Sequence, residues 1–278
     1  MISPAWMGLA ISSLIAPQVF LETINQPGCG VVKPIGRIIN GKTIDRTRMP
    51  WIVYLLINFE DKPGHFKSQI CGGSVISHRF IITAAHCVVS SLEQPDNIHV
   101  KYNATWAYEG PRAHVKKIIV HPGFRITTLQ NDVALLKLSK RLQFDRYVKP
   151  VCLPRVKMWL VNYPVLAAGW GHVNEEGGKT LRLLYIRTKI LPYKDCPHRF
   201  NNSRHNFTRS EMLCTDTNGK GTCLGDSGGP VTTWETHGHT SRFILVGLVS
   251  FSFGCSGDGS SNIHTRVSHF VKWIKSVM

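Results

Sequence analysis

The sequence lacks several features that would each point to a particular class of protein. None of its apolar runs reaches the ~18 residues that a membrane-spanning helix needs, so no membrane span is expected. Its eight cysteines include no Cys-x-x-Cys pair, which disfavours a zinc knuckle or a thioredoxin-type redox motif. There is no internal repeat and no low-complexity tract. What remains is an ordinary globular chain without a built-in metal or redox signature.

Acidic residues are also scarce. The chain of 278 residues has 17 Asp and Glu against 33 Lys and Arg, for a formal net charge of +16. A charge of this size favours attraction to polyanions such as glycosaminoglycans, acidic membranes or nucleic acid, but it equally serves solubility alone. Charge by itself therefore names no partner.

The apolar residues occur in short runs that are typical of strands. The hydrophobic fraction of 43% excludes a wholly disordered protein. Gly, Pro, Asn and Ser separate the runs, and no long helix intervenes, which predicts an all-β sandwich or barrel. The runs are 51–59, 74–84, 115–120, 133–138, 165–168, 181–191 and 243–253. At the C-terminus, apolar residues at helical spacing predict one amphipathic helix that docks onto the core.

The N-terminus and the cysteines indicate secretion. Residues 4–20 carry no charge, and the apolar segment 5–15 has the length of a signal-peptide core, although no Lys or Arg precedes it. We expect a signal peptide over about 1–22. An even number of cysteines without metal-type spacing favours four disulfides in an oxidising compartment. Three N-x-S/T sequons fit the same route, at Asn103, Asn201 and Asn206.

Three short segments carry the residues of nucleophilic catalysis. The segment 225–230 reads Gly-Asp-Ser-Gly-Gly-Pro, in which small neighbours leave the hydroxyl of Ser227 accessible and allow unusual turns. His86 stands at the end of an apolar run, and Asp132 at the start of another. A buried acid needs a partner, and an imidazole held by that acid can take a proton from the serine.

These segments, in the chain order His, Asp, Ser, closely resemble the trypsin/chymotrypsin-like serine proteases. The resemblance rests on Thr-Ala-Ala-His-Cys at 83–87, Asp-Val-Ala-Leu-Leu at 132–136 and the serine segment, and it covers roughly 29–278. It implies two antiparallel six-stranded β-barrels of Greek-key type with a C-terminal α-helix. Barrel one would span about 38–150, barrel two about 151–265 and the helix about 266–278.

The same resemblance implies the roles of the residues. Ser227 would be the nucleophile, His86 the general base and then acid, and Asp132 the group that orients the imidazole and stabilises its cation. The N–H groups of Gly225 and Ser227 would form the oxyanion hole. Ser250 resembles the family residue that donates a hydrogen bond to the acid.

The segment Arg37-Ile38 resembles the family's activation site. Cleavage after Arg37 would free the amine of Ile38, which the resemblance places beside Asp226. Residues 23–37 would then be a propeptide, or light chain, tethered to the protease domain 38–278 by a disulfide. The pairings that the family implies are Cys29–Cys152, Cys71–Cys87, Cys196–Cys214 and Cys223–Cys255.

The specificity pocket departs from that of trypsin. Trypsin-type members have an Asp six residues before the nucleophile, and this chain has Gly221 there, so a preference for Arg or Lys is not expected. Phe251 and Ser252 replace the usual Trp and Gly. Asn262 is expected to project from the pocket wall. It would either bind a polar substrate side chain or shorten an apolar pocket.

Partners and cofactors follow from this interpretation. We expect protein or peptide substrates, an activating protease, and serpin-type inhibitors and heparin-like glycans as further candidates. No nucleic acid and no cofactor is expected, and no metal, since His237-Gly238-His239 has no Cys or carboxylate nearby. The alternative is a catalytically silent, protease-shaped polycation that binds glycans or other partners.

Overall fold

The structure, a computed structural model, describes residues 24–32, 42–44, 46–62, 65–89, 95, 97–155, 158–172, 178, 180–196, 207–216, 221–252 and 261–278. These residues form fourteen strands and one α-helix, so the predicted all-β class with a terminal helix is confirmed. No helix among them is long and apolar enough to cross a membrane. In chain order the elements are β1 (Val31–Val32), β2 (Lys42–Thr43), β3 (Ile52–Lys62), β4 (His65–Val75), β5 (Phe80–Thr83), β6 (Asn97–Lys101), β7 (Arg112–Val120), β8 (Ala134–Leu138), β9 (Pro164–Gly169), β10 (Leu184–Lys189), β11 (Met212–Thr215), β12 (Pro230–His237), β13 (Thr240–Phe251), β14 (Asn262–Arg266) and α1 (Val267–Val277).

Barrel one is closed. Its six antiparallel strands follow the order β3-β4-β5-β8-β7-β6, and β6 pairs back onto β3. Leu55 faces Val100 in that last pairing, and both side chains are fully buried. Closure leaves no edge strand exposed and directs alternate side chains to a common interior. The apolar run 74–84 belongs to two strands here, because a turn at 76–79 separates β4 from β5.

Barrel two is built from six principal strands in the order β11-β14-β13-β12-β9-β10. Two-residue strands extend this sheet to eight: β2 pairs with β10, and β1 pairs with β13. Ile190, which directly follows β10, forms a bridge with Thr215 of β11. Because β10 and β11 stand at opposite ends of the six-strand order, this bridge brings the ends together. The predicted pair of six-stranded barrels is therefore confirmed.

The two halves share one core. Helix α1 follows the last strand of barrel two, yet its buried residues Phe270 and Ile274 belong to the same apolar cluster as Trp51 and Leu135 of barrel one. The ring centroid of Phe270 lies 5.2 Å from that of His121. The helix therefore clamps the end of barrel two against barrel one and fixes the cleft between them.

Candidate active site

His86 lies at the end of a fully buried strand. All four residues of β5 are buried, and the chain then makes a 3-10 turn over Ala85–Cys87. Cys87 is disulfide-bonded to Cys71 of β4, which anchors this turn to the neighbouring strand. Only 17% of the His86 side chain is exposed. The local apolar sequence thus buries the strand, and the turn brings the imidazole to the wall of the cleft.

Asp132 lies two residues before β8 and is almost completely buried, with 1% of its side chain exposed. Its Oδ1 accepts a hydrogen bond from the backbone N–H of His86 at 2.9 Å, and its Oδ2 lies 2.8 Å from His86 Nδ1. The hydroxyl of Ser250 donates to Oδ2 at 2.6 Å. Thr265 Oγ1 donates to the Asp132 carbonyl at 2.7 Å. Residues of both barrels therefore fix this carboxylate.

The pair is electrostatically matched. Burial alone would lower the pKa of His86, but the Asp132 charge and hydrogen bond outweigh it and leave that pKa raised above its ordinary value. Burial would raise the pKa of Asp132, yet the opposed His86 charge and the bonds from His86 and Ser250 hold it below its ordinary value. The arrangement keeps Asp132 ionised and makes the imidazole a stronger base than a free histidine.

The turn that carries Ser227, which we call the nucleophile turn (residues 223–229), depends on glycine. Gly225 and Gly228 have φ values of 97° and 75°, which side chains rarely adopt. A Cβ on Gly228 would stand 2.1 Å from Thr83 Oγ1 and 3.0 Å from the Ala84 nitrogen. The turn is therefore packed directly against the chain that leads into His86. Sequence positions 141 residues apart are brought to one place in this way.

Two amides of this turn have no partner among the described residues. In the part of the chain that the structure describes, the N–H groups of Gly225 and Ser227 donate no hydrogen bond. The amides of Asp226, Gly228 and Gly229 all donate to backbone carbonyls. These two N–H groups are the ones predicted from the sequence to form the oxyanion hole, and within the described part of the chain they remain available as donors.

Asp226 points away from the cleft. Its Oδ1 accepts from the Gly171 N–H at 2.8 Å, and its Oδ2 accepts from the Cys223 N–H at 3.0 Å. Burial raises its pKa to about 6, although both hydrogen bonds favour the charged form. Arg37 and Ile38, its predicted partner, lie outside the described residues. The described part of the chain supplies no cation to Asp226.

The predicted pocket residues lie together at the ends of β13 and β14. Phe251 ends β13 and pairs with Ile263, the neighbour of Asn262. Ser252 Oγ donates to the Thr222 carbonyl at 3.3 Å, which places Gly221 and Thr222 beside this strand end. Thr222 is buried, and sequence reasoning did not single it out. Its position beside the pocket residues depends on the tertiary contact between residues 221–222 and the end of β13.

A groove of about 290 Å³ opens on the other side of the nucleophile turn. Gly225 and Ser227 form one end, and aromatic and aliphatic side chains from distant segments, including Tyr108, Trp170 and Leu181, form the rest. Tyr108 and Leu181 are half exposed. Sequence reasoning did not find this lining, because its residues come from loops that are far apart in the chain.

The cysteines pair in three described disulfides, Cys29–Cys152, Cys71–Cys87 and Cys196–Cys214, which are three of the four pairings that the resemblance implies. Cys223 is also disulfide-bonded, and Cys255 lies outside the described residues. Cys71, Cys87 and His86 have ligand-type atoms within 4.8 Å of one another, but disulfide sulfurs are not thiolates and this group is no zinc site.

Of the three sequons, one is described. Asn103 is partly buried and adopts a left-handed backbone conformation with φ of 52°. Asn201 and Asn206 lie outside the described residues. The side chain of His237, from the His-Gly-His segment, is also not among those described. Glycosylation at these positions stays a prediction.

Comparison with known proteins agrees with this geometry. A family model described as Trypsin matches residues 38–274. The chain is 32% identical over 260 residues to the serine proteinase stubble of Drosophila melanogaster, covering 88% of this chain and 32% of that protein. It is 29% identical to the clotting factor G beta subunit of Tachypleus tridentatus, covering 91% of this chain and 84% of that protein. It is 30% identical to the CLIP domain-containing serine protease B4 of Anopheles gambiae, covering 90% of this chain and 72% of that protein.

The coverage differs among these relatives. The chain spans about a third of the length of stubble, and 15% of the length of the serine protease filzig of Drosophila melanogaster, to which it is 31% identical. The family match extends over most of the chain and includes every motif that carries the site. Together with the two barrels and the hydrogen-bonded His86–Asp132 pair, it shows that the chain belongs to the trypsin family of serine proteases.

Proposed function

We propose that the chain is a secreted serine endopeptidase that hydrolyses peptide bonds through an acyl-enzyme. The observation that carries this proposal is the nucleophile turn, which is packed against the segment leading into His86 while Asp132 holds the other side of the imidazole. The four cysteine pairs expected from the sequence suit an oxidising, extracellular compartment.

The chemistry uses these groups in order. Ser227 Oγ attacks the carbonyl carbon of the scissile peptide as His86 Nε2 takes its proton, and the amides of Gly225 and Ser227 stabilise the resulting oxyanion. His86 then gives the proton to the leaving amine, which breaks the C–N bond and leaves an ester on Ser227. A water molecule, deprotonated by His86, then attacks the ester carbonyl carbon. As the bond to Ser227 Oγ breaks, His86 returns the proton to that oxygen and the carboxylic acid product leaves.

The test compares covalent labelling with turnover. A fluorophosphonate reacts with the proposed nucleophile, so the activated protein should be labelled once per chain. Ser227→Ala should abolish the labelling and should lower the rate of peptide hydrolysis by about 10⁴-fold or more. A folded, activated protein that resists labelling would instead favour the silent polycation, which binds without turnover.

Activation by cleavage after Arg37 is part of the proposal. The new amine of Ile38 would supply the cation that Asp226 lacks within the described residues. We expect Arg37→Gln to be secreted normally but to remain inactive. Full activity of this uncut variant would refute the activation step.

The activation step also predicts how activity depends on pH. An α-amine paired with a carboxylate has its pKa raised above its free value of about 8. The activity of the cleaved enzyme is therefore present below that value and is lost as pH rises through the raised pKa.

We further propose that Arg and Lys are not the preferred residues on the acyl side of the scissile bond. A cationic side chain needs a carboxylate at the base of the pocket, and Gly221 offers none. Serpin-type inhibitors, an Arg-cleaving activator and heparin-like glycans stay predicted partners on the strength of the family and of the +16 charge.

A further inference from the structure

Among the residues that the structure describes, four buried polar atoms near the start of β14 have no hydrogen-bond partner. They are both amide atoms of Asn262, the hydroxyl of Thr222 and Nδ1 of His264. Asn262 and His264 are completely buried, and Thr222 is 4% exposed. Buried polar groups are almost always paired, so these four atoms mark a place where an entering group can form hydrogen bonds. We call these three side chains the polar pocket.

The strand register places the polar pocket one strand from the nucleophile turn. Asn262 and His264 are two residues apart on β14, so they share a face. Val249 of β13 pairs with His264 on one side. On its other side Val249 exchanges two backbone hydrogen bonds with the nucleophile turn, at 2.7 and 3.0 Å. With strands ~4.8 Å apart, the backbone of His264 lies about 10 Å from that of the turn.

The same face continues toward Thr222. Thr215 stands opposite Asn262, and its hydroxyl lies 2.8 Å from His264 Nε2, which satisfies that ring nitrogen and leaves Nδ1 free. Thr222 lies beside the end of β13 through the bond from Ser252. Gly221, directly before Thr222, carries no side chain of its own.

The polar pocket is uncharged. Burial lowers the pKa of His264 to about 3, and no charged group contributes to that shift. The imidazole is therefore neutral at any physiological pH. In the ranges that the structure describes, no Asp, Glu, Lys or Arg bonds to Asn262, Thr222 or His264. A charged substrate side chain would enter this site without a counter-ion.

We propose that the polar pocket selects a carboxamide, Gln or Asn, on the acyl side of the scissile bond. Asn262 presents one donor and one acceptor in a plane, and a second carboxamide is the side chain that satisfies both at once. The Thr222 hydroxyl and His264 Nδ1 are left for its remaining groups. An apolar side chain of the same size would leave all four atoms unpaired. This inference rests on the proposed peptidase function.

The experiment measures kcat/KM of the activated full-length chain on peptides that differ only at that residue. We compare Gln with its apolar near-isostere Met, Asn with Leu, and both with Glu and Lys. Sites built to hydrogen-bond a substrate group reject analogues that lack it, so we expect the carboxamides to be preferred by about 100-fold or more. A preference for Met, Leu, Glu or Lys would overturn the inference.

Variants of Asn262 sharpen the test. Asn262→Leu should bring Gln and Met to within a few-fold of each other, and it should raise the Tm of the free enzyme because two unpaired buried atoms are removed. Asn262→Asp should move the preference toward Lys by placing a carboxylate in the pocket. Asn97→Leu, at an exposed position on β6, is the matched control. It should change neither the Gln/Met ratio nor the activity on Lys. An unchanged Gln/Met ratio in Asn262→Leu would overturn the assignment.

Fluorophosphonate titration separates the two levels of the proposal. A preparation that is labelled at Ser227 but shows no carboxamide preference removes this inference and leaves the peptidase function standing. A folded preparation that is not labelled removes the peptidase function itself.

Discussion

Asp132 shows how a single side chain can accept three hydrogen bonds from two residues in different parts of the fold. It receives hydrogen bonds from the backbone and the ring of His86 and from the Ser250 hydroxyl. Its burial makes each of these interactions stronger than it would be in water, because the local dielectric constant is low. The sequence identified Asp132 and Ser250 through the family motifs. The hydrogen bond from the His86 backbone N–H was not predicted from the sequence, because it depends on the turn over Ala85–Cys87.

At this scale we predict the pH dependence of activity. The neutral form of His86 is the base, so kcat/KM should fall as pH falls through its pKa, which Asp132 holds above the ordinary 6.5. Asp132→Asn removes the charge that raises the pKa of His86 but keeps the burial that lowers it, so the pKa of His86 should fall. The acid limb of the profile should therefore move to lower pH, and kcat should drop by about 10⁴-fold.

The measurement is a kcat/KM profile between pH 4 and 9 for both proteins. Ser139→Ala, at an exposed position after β8, is the control and should leave the profile in place. An acid limb at the same pH in Asp132→Asn and wild type would contradict the assignment of His86 as a base tuned by this carboxylate.

Helix α1 links the elements of one barrel to those of the other. The apolar spacing of its residues predicted docking onto the core, and Val267, Phe270, Val271 and Ile274 are indeed buried. The sequence did not indicate which part of the core would receive it. The helix packs against β13 of barrel two and also reaches barrel one, where the ring of His121, which directly follows β7, contacts Phe270 and Trp273.

We predict that Phe270→Ala lowers the free energy of unfolding by about 3–5 kcal/mol, since it removes a fully buried ring and leaves a cavity. The comparison is Lys272→Ala on the exposed face of the same helix, which should change stability by about 0.5 kcal/mol or less. Urea unfolding of the two variants checks this. Equal stability of both would show that α1 does not clamp the barrels.

At the scale of the whole molecule, the proposed activation would make Asp226 the link between the active site and the cleaved N-terminus. In the uncut chain its pKa is raised by burial from 3.8 to about 6, so the folded state binds a proton that the unfolded state releases. Its contribution to stability is therefore greatest at low pH and declines between about pH 3.8 and pH 6. A shift of this size corresponds to about 3 kcal/mol.

We accordingly expect Asp226→Asn to gain about 3 kcal/mol relative to the wild type between pH 4 and pH 7 in the uncut protein. After cleavage at Arg37 the relation should reverse, because the amine of Ile38 then stabilises the charged carboxylate and the asparagine cannot replace it. Denaturant unfolding at both pH values, on cut and uncut protein, measures the difference. Parallel pH dependence in wild type and variant would contradict it.

The sequence by itself determined the fold class and identified the segments that carry the proposed chemistry. The segments around His86, Asp132 and Ser227 are short, and each encodes a local backbone shape: a buried strand entering a turn, an acid before a strand, and a turn that only glycine permits. The strand-length apolar runs indicated the all-β class for the same reason, although β6, β11, β12 and β14 were not marked by such runs.

Only the tertiary structure decided what surrounds these groups. The orphaned atoms of Asn262, Thr222 and His264, and the groove lined by Tyr108 and Leu181, arise where strand ends and loops from distant segments meet. Their meeting depends on barrel closure and strand register, which are set by long-range packing. A local pattern cannot report whether a buried amide will find a partner, because the partner belongs to another part of the chain.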